Sequence, residues 1–239
     1  MPGGWTPRSG RGLIFAVLVA LFALTLTAAF VLPGGRGTMR ASDVVSELGR
    51  LDRAALEAAA KAIARTAAEN AALGEPPPRA CEVLSAPEIP QEVRDALQRA
   101  SAGVFVTAIR RGTVRACVGS IWPQCANLGE EIARAGAMVV SRDLRHPPIT
   151  RNELADLEFA VSIVGRVERV DARETWDPRV YGVLVRAGGR TGVILPGEAL
   201  THAKQVSWAR EEAGISSGER FELLRFQTIR LGSSLGRPK

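Results

Sequence analysis

Two stretches dominate what this chain can fold into. "GVFVTAIR" and "TVRACVGSI" flank Arg111-Gly112, and "YGVLVRAGGRTGVILPG" turns at Gly188-Gly189. Each sets β-branched runs either side of a short turn in which glycine supplies positive φ, the signature of a hairpin. Hairpins pair antiparallel. Between and around them run helical patterns. Leu48, Leu51, Ala55, Leu56, Ala59 and Ile63 recur at three- and four-residue steps over Asp43 to Leu73, where Gly74 and "EPPP" stop the helix. Pro90 to Arg99 reads as a short helix. Asn127 with Glu130 marks the start of another, running to about Arg142. Thr150 with Glu153 caps a short helix before the strand "LEFAVSIVGRVERV". Glu198 to Ala213 is helical up to Gly214, and "ERFELLRFQTIRL" closes the domain as a strand. Helices mixed with hairpins predict an α+β fold, an antiparallel or mixed sheet with flanking helices, rather than a doubly wound parallel sheet.

From Leu13 to Leu32 the chain has no charged residue, and 20 apolar-rich residues match the thickness of a bilayer core. We expect residues 13–32 to be a single-pass membrane anchor, after a short basic N-terminus at 1–12 and before a linker and helix start at 33–49. A cleaved signal peptide and translation from Met39 are the alternatives, the last making the protein cytoplasmic. Orientation is not set, because Arg8 and Arg11 precede the segment and Arg36, Arg40 and Arg50 follow it.

The formal charge is +6, but only three of the 31 basic residues are lysines and none forms a block. That distribution argues against a nucleic-acid partner. Cys81, Cys117 and Cys125 are an odd number at spacings that fit no zinc pattern, so no metal and no cofactor is expected.

Cys117 could be a reactive thiol or a small apolar filler. With regular pairing from the Arg111-Gly112 turn, Ile109 faces Val114, Thr107 faces Ala116 and Phe105 faces Val118, an apolar core face. The other face then sets Ala108 opposite Arg115, Val106 opposite Cys117 and Val104 opposite Gly119. On that reading Arg115 lowers the pKa of Cys117, and Gly119 leaves open space above the strand. In "SRDLRHPPIT", Arg142, Asp143, Arg145 and His146 share a proline-stiffened loop, either preorganised for binding or tied into a local ion-pair cluster.

"RACVGS", "RDLRHPPIT", "VSIVG", "YGVLVR…GRTGVILP" and the closing "RF" strand, in that order, resemble the AMMECR1 domain over residues 50–231, leaving 232–239 as a tail. Arg115, Cys117, Gly119, Asp143, Arg145, Pro148, Gly182, Leu195 and Pro196 match the family's pattern. Ala116 stands where the motif has glycine, and His146 where it has phenylalanine. The resemblance implies an α+β fold in two unequal subdomains, an activity not established, and a functional site at the cysteine motif. It also implies Memo-like and radical-SAM proteins as partners in one pathway. Two functions follow as expectations. One is a binding or scaffold module holding a polar ligand or partner protein over the Arg115/Cys117 face, with Gly119, Asp143, Arg145 and His146. The other is an enzyme using Cys117 as thiolate nucleophile or covalent carrier on a small polar substrate.

Overall fold

The computed structural model describes residues 41–171 and 173–233. The expected anchor at 13–32 lies outside them. Among the described residues no helix is long and apolar enough to cross a membrane.

Six antiparallel strands form one sheet: β1 (Val104–Arg110), β2 (Thr113–Gly119), β3 (Leu157–Arg169), β4 (Gly182–Ala187), β5 (Arg190–Ile194) and β6 (Glu222–Leu231), in the spatial order β2-β1-β3-β6-β4-β5. The fold is α+β, as the hairpins and helical patterns predict. Both turns fall where glycine marks them. Arg111 (φ 52°) and Gly112 (φ 74°) make the first, and Gly188 (φ 52°) and Gly189 (φ 82°) the second.

Among the described residues, five helices cover one half of the sheet: α1 (Ala41–Leu48), α2 (Arg53–Ala72), α3 (Ala80–Leu84), α4 (Gln91–Arg99) and α5 (Leu128–Met138). The pattern expected as one helix from Asp43 is broken, because the Asp52 carboxylate accepts from the N–H groups of Ala54 (2.7 Å) and Ala55 (3.1 Å) and starts a new helix. α2 buries an alanine stripe, including Ala60, Ala64 and Ala67, beside Leu56 and Ile63. So narrow a face lets α5 come close: a Cβ on Gly136 would lie 2.6 Å from the Ala64 carbonyl oxygen. This layer packs on Val104, Val106, Ala108, Ala116, Phe159, Val161 and Ile163. Each large apolar side chain so buried contributes roughly 1.5–3 kcal/mol.

The second, smaller core lies under α6 (His202–Glu212) and gathers Trp176, Val183, Val185, Ile194, Ala209 and Leu223. Fully buried Gln205 ties it together, accepting from Trp176 Nε1 (2.9 Å) and donating to the Tyr181 carbonyl (2.7 Å). α6 begins at Thr201, whose hydroxyl caps Lys204, rather than at Glu198 as the sequence suggests. Pro196 and Gly197 (φ 83°) turn the chain first, and the Glu198 carboxylate folds back to accept from Leu195 N–H at 2.8 Å.

The opposite face of the sheet has its own apolar floor, made by Phe105, Ile121, Val164, Leu184, Leu195, Leu224 and Phe226, with Cys117 and Val193 packed against it.

Candidate functional site

Cys117 lies on that floor, not on the helix-covered face. The first hairpin does not pair regularly. Ile109 faces Val114, but Ala108 faces Ala116, so Arg115 is an extra residue in β2. Such a bulge shifts everything beyond it by one and exchanges the faces. Cys117 consequently pairs with Thr107, not Val106, and Gly119 with Phe105, not Val104. The core face of the hairpin is the one carrying Val104, Val106 and Ala108. Gly119 leaves no open space either. A Cβ there would come within 2.1 Å of the Val104 carbonyl oxygen and 2.7 Å of the Phe105 ring, so glycine is required by contact with β1.

The bulged Arg115 is held elsewhere. Its guanidinium donates to Glu153 (2.9 and 3.3 Å) and to the carbonyls of Pro147 (3.1 Å) and Pro148 (3.4 Å). Glu153 also accepts from Thr150 N–H and hydroxyl, completing the capping box of the 3-10 helix Arg151–Asp156. Hydrogen bonds from Arg115, then from Thr150, hold the Glu153 carboxyl down to about 2. Arg115 therefore anchors the proline loop, and the charges that bear on the thiol come from Glu198, Arg145 and Arg230. We expect Arg115→Gln to leave the alkylation rate of Cys117 within about twofold of wild type, while lowering stability by about 1 kcal/mol through loss of a charge-assisted pair. Side-by-side alkylation kinetics and thermal melts check this.

Asp143 and Arg145 close the outer edge of β2. Asp143, 8% exposed, accepts from Cys117 N–H at 2.9 Å and from the Arg145 side chain at 2.9 Å through each of two nitrogens. Arg145 in turn reaches the Cys117 carbonyl at 3.4 Å. Both backbone groups that Cys117 presents at the open edge are thus occupied by the loop. Desolvation pushes the Asp143 carboxyl up, but hydrogen bonds from Arg145 and from Cys117 N–H outweigh it and hold it down to about 2. The side chain of His146 is exposed and lines the same cleft.

The cleft, of about 1410 Å³, runs between the two free edges of the sheet. Cys117, Trp122, Asp143 and Arg145 belong to the β2 side; Glu198, Trp208 and Glu212 belong to the β5 side. That both edges line one cleft is the measure of how far the sheet curls. Leu144, 96% exposed, and half-exposed Trp122 stand at its lip. Glu212 mirrors Asp143, accepting from Val193 N–H on β5 at 3.2 Å. Burial pushes the carboxyls of both Glu198 and Glu212 up. Neither carboxylate has an Arg, Lys or His nitrogen within 4.0 Å among the described residues. The loop carrying Trp122 is fixed from beneath by fully buried Glu131, which accepts from Gln124 N–H (2.6 Å), Cys125 N–H (2.8 Å) and Arg134 Nε (3.1 Å).

Cys117 itself is half-buried and accepts from the Thr107 hydroxyl at 3.4 Å. Desolvation, then the Glu198 charge, pushes the thiol up to about 12; the Thr107 hydrogen bond, Arg145 and Arg230 pull weakly the other way. At neutral pH the group is a thiol, not a thiolate. All three cysteines are free, and no group of three or more His, Cys, Asp or Glu among the described residues is placed to hold a metal.

The structure brings together Cys117, Asp143, Arg145 and His146, places Gly119 beside them against Phe105, and separates Arg115 from the thiol. Sequence reasoning missed Glu198, Glu212 and Glu131. An acid just after a Pro-Gly turn was the one visible sign of Glu198.

Comparison with known proteins agrees with this architecture. The AMMECR1 family model matches residues 54–231. A Thermotoga maritima protein is 34% identical over 144 residues, covering 59% of this chain and 83% of that protein. A Clostridium acetobutylicum protein is 34% identical over 145 residues, covering 60% of this chain but 31% of that protein's length. The crystal structure of an uncharacterised Pyrococcus horikoshii protein superposes with a TM-score of 0.56 at 19% identity, covering 75% of this chain and 92% of that one.

Proposed function

The chain belongs to the AMMECR1 family, and from that premise we propose that it is a binding protein whose cleft between the two sheet edges captures a small ligand with a polar head and an apolar body. The observation that carries this reading is the composition of the cleft. Its floor is apolar, from Phe105 to Leu195, while Cys117, Arg145, Glu198 and Glu212 bring polar groups into it. Concave, mostly apolar sites with a few fixed polar groups are what small ligands occupy. Capture of an extended peptide by strand addition is disfavoured at both edges. The Cys117 N–H and carbonyl and the Val193 N–H are already taken by Asp143, Arg145 and Glu212. A resting thiol near 12 favours binding over chemistry driven by a preformed thiolate.

The test is a fragment screen by ligand-observed NMR on the full-length chain, run before and after blocking Cys117 with iodoacetamide. We expect amphiphilic fragments to bind the free chain and to lose at least tenfold in affinity once the thiol carries its carbamidomethyl group. Fragments that bind both forms alike would place recognition outside this cleft and sink the reading.

A further inference from the structure

Cys117 and Glu198 come from opposite edges of the sheet and line one cleft. The thiol sits near the end of β2 and packs into the same apolar floor as Leu195. Glu198 is anchored by one oxygen on the Leu195 N–H, which fixes its carboxylate beside that floor. Its other oxygen has no partner among the described residues, yet it is not sealed off as a buried orphan. The charged groups bearing on Glu198 are Arg145 from the proline loop, Glu212 from α6 and Arg230 from β6. On the thiol they are Glu198, Arg145 and Arg230. Thr107 donates to the sulfur and so leaves the S–H free to point elsewhere.

We infer that Glu198 is the proton acceptor of Cys117, so that the cleft holds a thiol–carboxylate couple able to attack an electrophilic carbon on a bound ligand. The inference rests on the cleft being the binding site and adds a reaction to it. The probe of this step is an alkyl halide. The sulfur forms a bond to the CH₂ carbon of iodoacetamide, the C–I bond breaks, and iodide leaves with the electron pair. The S–H proton passes to Glu198, which later releases it to water. Burial, then the Glu198 charge, disfavours the thiolate, so a base that takes the proton as the S–C bond forms eases the attack. Burial also raises the Glu198 carboxyl above the ordinary carboxylate range, toward the pH at which it has to work.

Glu198→Gln separates this role from a merely electrostatic one, because the two predict opposite signs. The amide keeps an oxygen for the Leu195 N–H. If Glu198 only repels negative charge at the sulfur, the substitution makes thiolate easier to form and speeds alkylation. If Glu198 takes the proton, alkylation at pH 7 slows at least tenfold. The rate on the full-length chain is followed at Cys117 by peptide mass spectrometry, with exposed Cys81 in the same sample as the internal reference. In wild type, the Cys117 rate is expected to rise with pH through the Glu198 titration, level off, then rise again as the thiol itself ionises. Glu198→Gln is expected to remove the first rise, and Glu88→Gln, at an exposed position outside the cleft, to keep it. Unchanged or faster labelling of Glu198→Gln, with Cys81 unaffected, overturns the inference while leaving the fragment-binding test of the cleft intact. A wild-type Cys117 that does not label while Cys81 does also overturns the inference, and the cleft as a binding site then stands or falls on whether fragments bind the unlabelled chain.

Discussion

Asp143→Ala is expected to destabilise the domain by about 3 kcal/mol. The side chain is buried and makes the bridge between the proline loop and the edge of β2. Truncation leaves the Cys117 N–H without its acceptor and Arg145 without its counter-ion, and removing one partner of a buried pair is costlier than the pair is worth. The same carboxylate makes stability depend on acid. Its folded pKa of about 2 lies below the value of 3.8 it takes without its partners. A depressed carboxyl adds stability that is fully present above its unfolded pKa and is lost as pH falls from about 4 toward 2. The amount is about 2 kcal/mol, allowing for the exposure of Arg145. Urea melts of wild type and Asp143→Asn between pH 5 and pH 2.5 check this. The gap between the two should shrink as the pH drops, and a gap that stays constant would show that the carboxylate charge is not what the loop uses.

Glu131→Ala should cost more, about 3–5 kcal/mol, because the carboxylate is fully buried and Arg134 is its only cation among the described contacts. Gln124 and Cys125 lose their acceptors together, and the segment carrying Trp122 loses its support. Cys125 reports the change directly. Desolvation, then Glu131, keeps that thiol's pKa up, so Glu131→Ala is expected to label at Cys125 several-fold faster than wild type while Cys81 is unchanged. Labelling of Cys125 at the wild-type rate in a folded variant would mean that the loop is held from above, not by Glu131.

Features of the chain that depend on near neighbours were legible in the sequence. Asn127 caps Glu130 N–H at 3.0 Å, Thr150 and Glu153 form their capping box, and Gly74 (φ 76°) follows the end of α2. The spacing of turn residues and β-branched runs was enough for the antiparallel sheet. The faces of β2 were not legible, because the alternation of side chains cannot show an inserted residue. Arg115 leaves the ladder for partners 32 to 38 residues away, and nothing local announces it. Glu131 is hidden for a related reason. At i+4 from Asn127 it looks like one more acid in the first turn of a helix, and its network exists only once residues 120–125 fold over it. Glu198 needed both sheet edges to be in place. The Asp143–Arg145 pair was foreseen as a local cluster, but its grip on the backbone of Cys117 depends on β2 being an edge strand.

The bulge at Arg115 can also be counted in codons. With Arg115 present and no bulge, every residue from Ala116 onward would change faces, and the thiol would point into the helical layer. Deleting Arg115 gives regular pairing from the turn onward and still sets Cys117 opposite Thr107. Deleting Thr113 or Val114 leaves the same number of residues ahead of Cys117, so the strand can reach that register by spending Arg115 in the ladder. A further residue inserted before Cys117 has no such remedy short of a second bulge. The hairpin is therefore buffered against loss of one amino acid and exposed to gain of one. Length variation that preserves the cleft belongs on the short side of this strand.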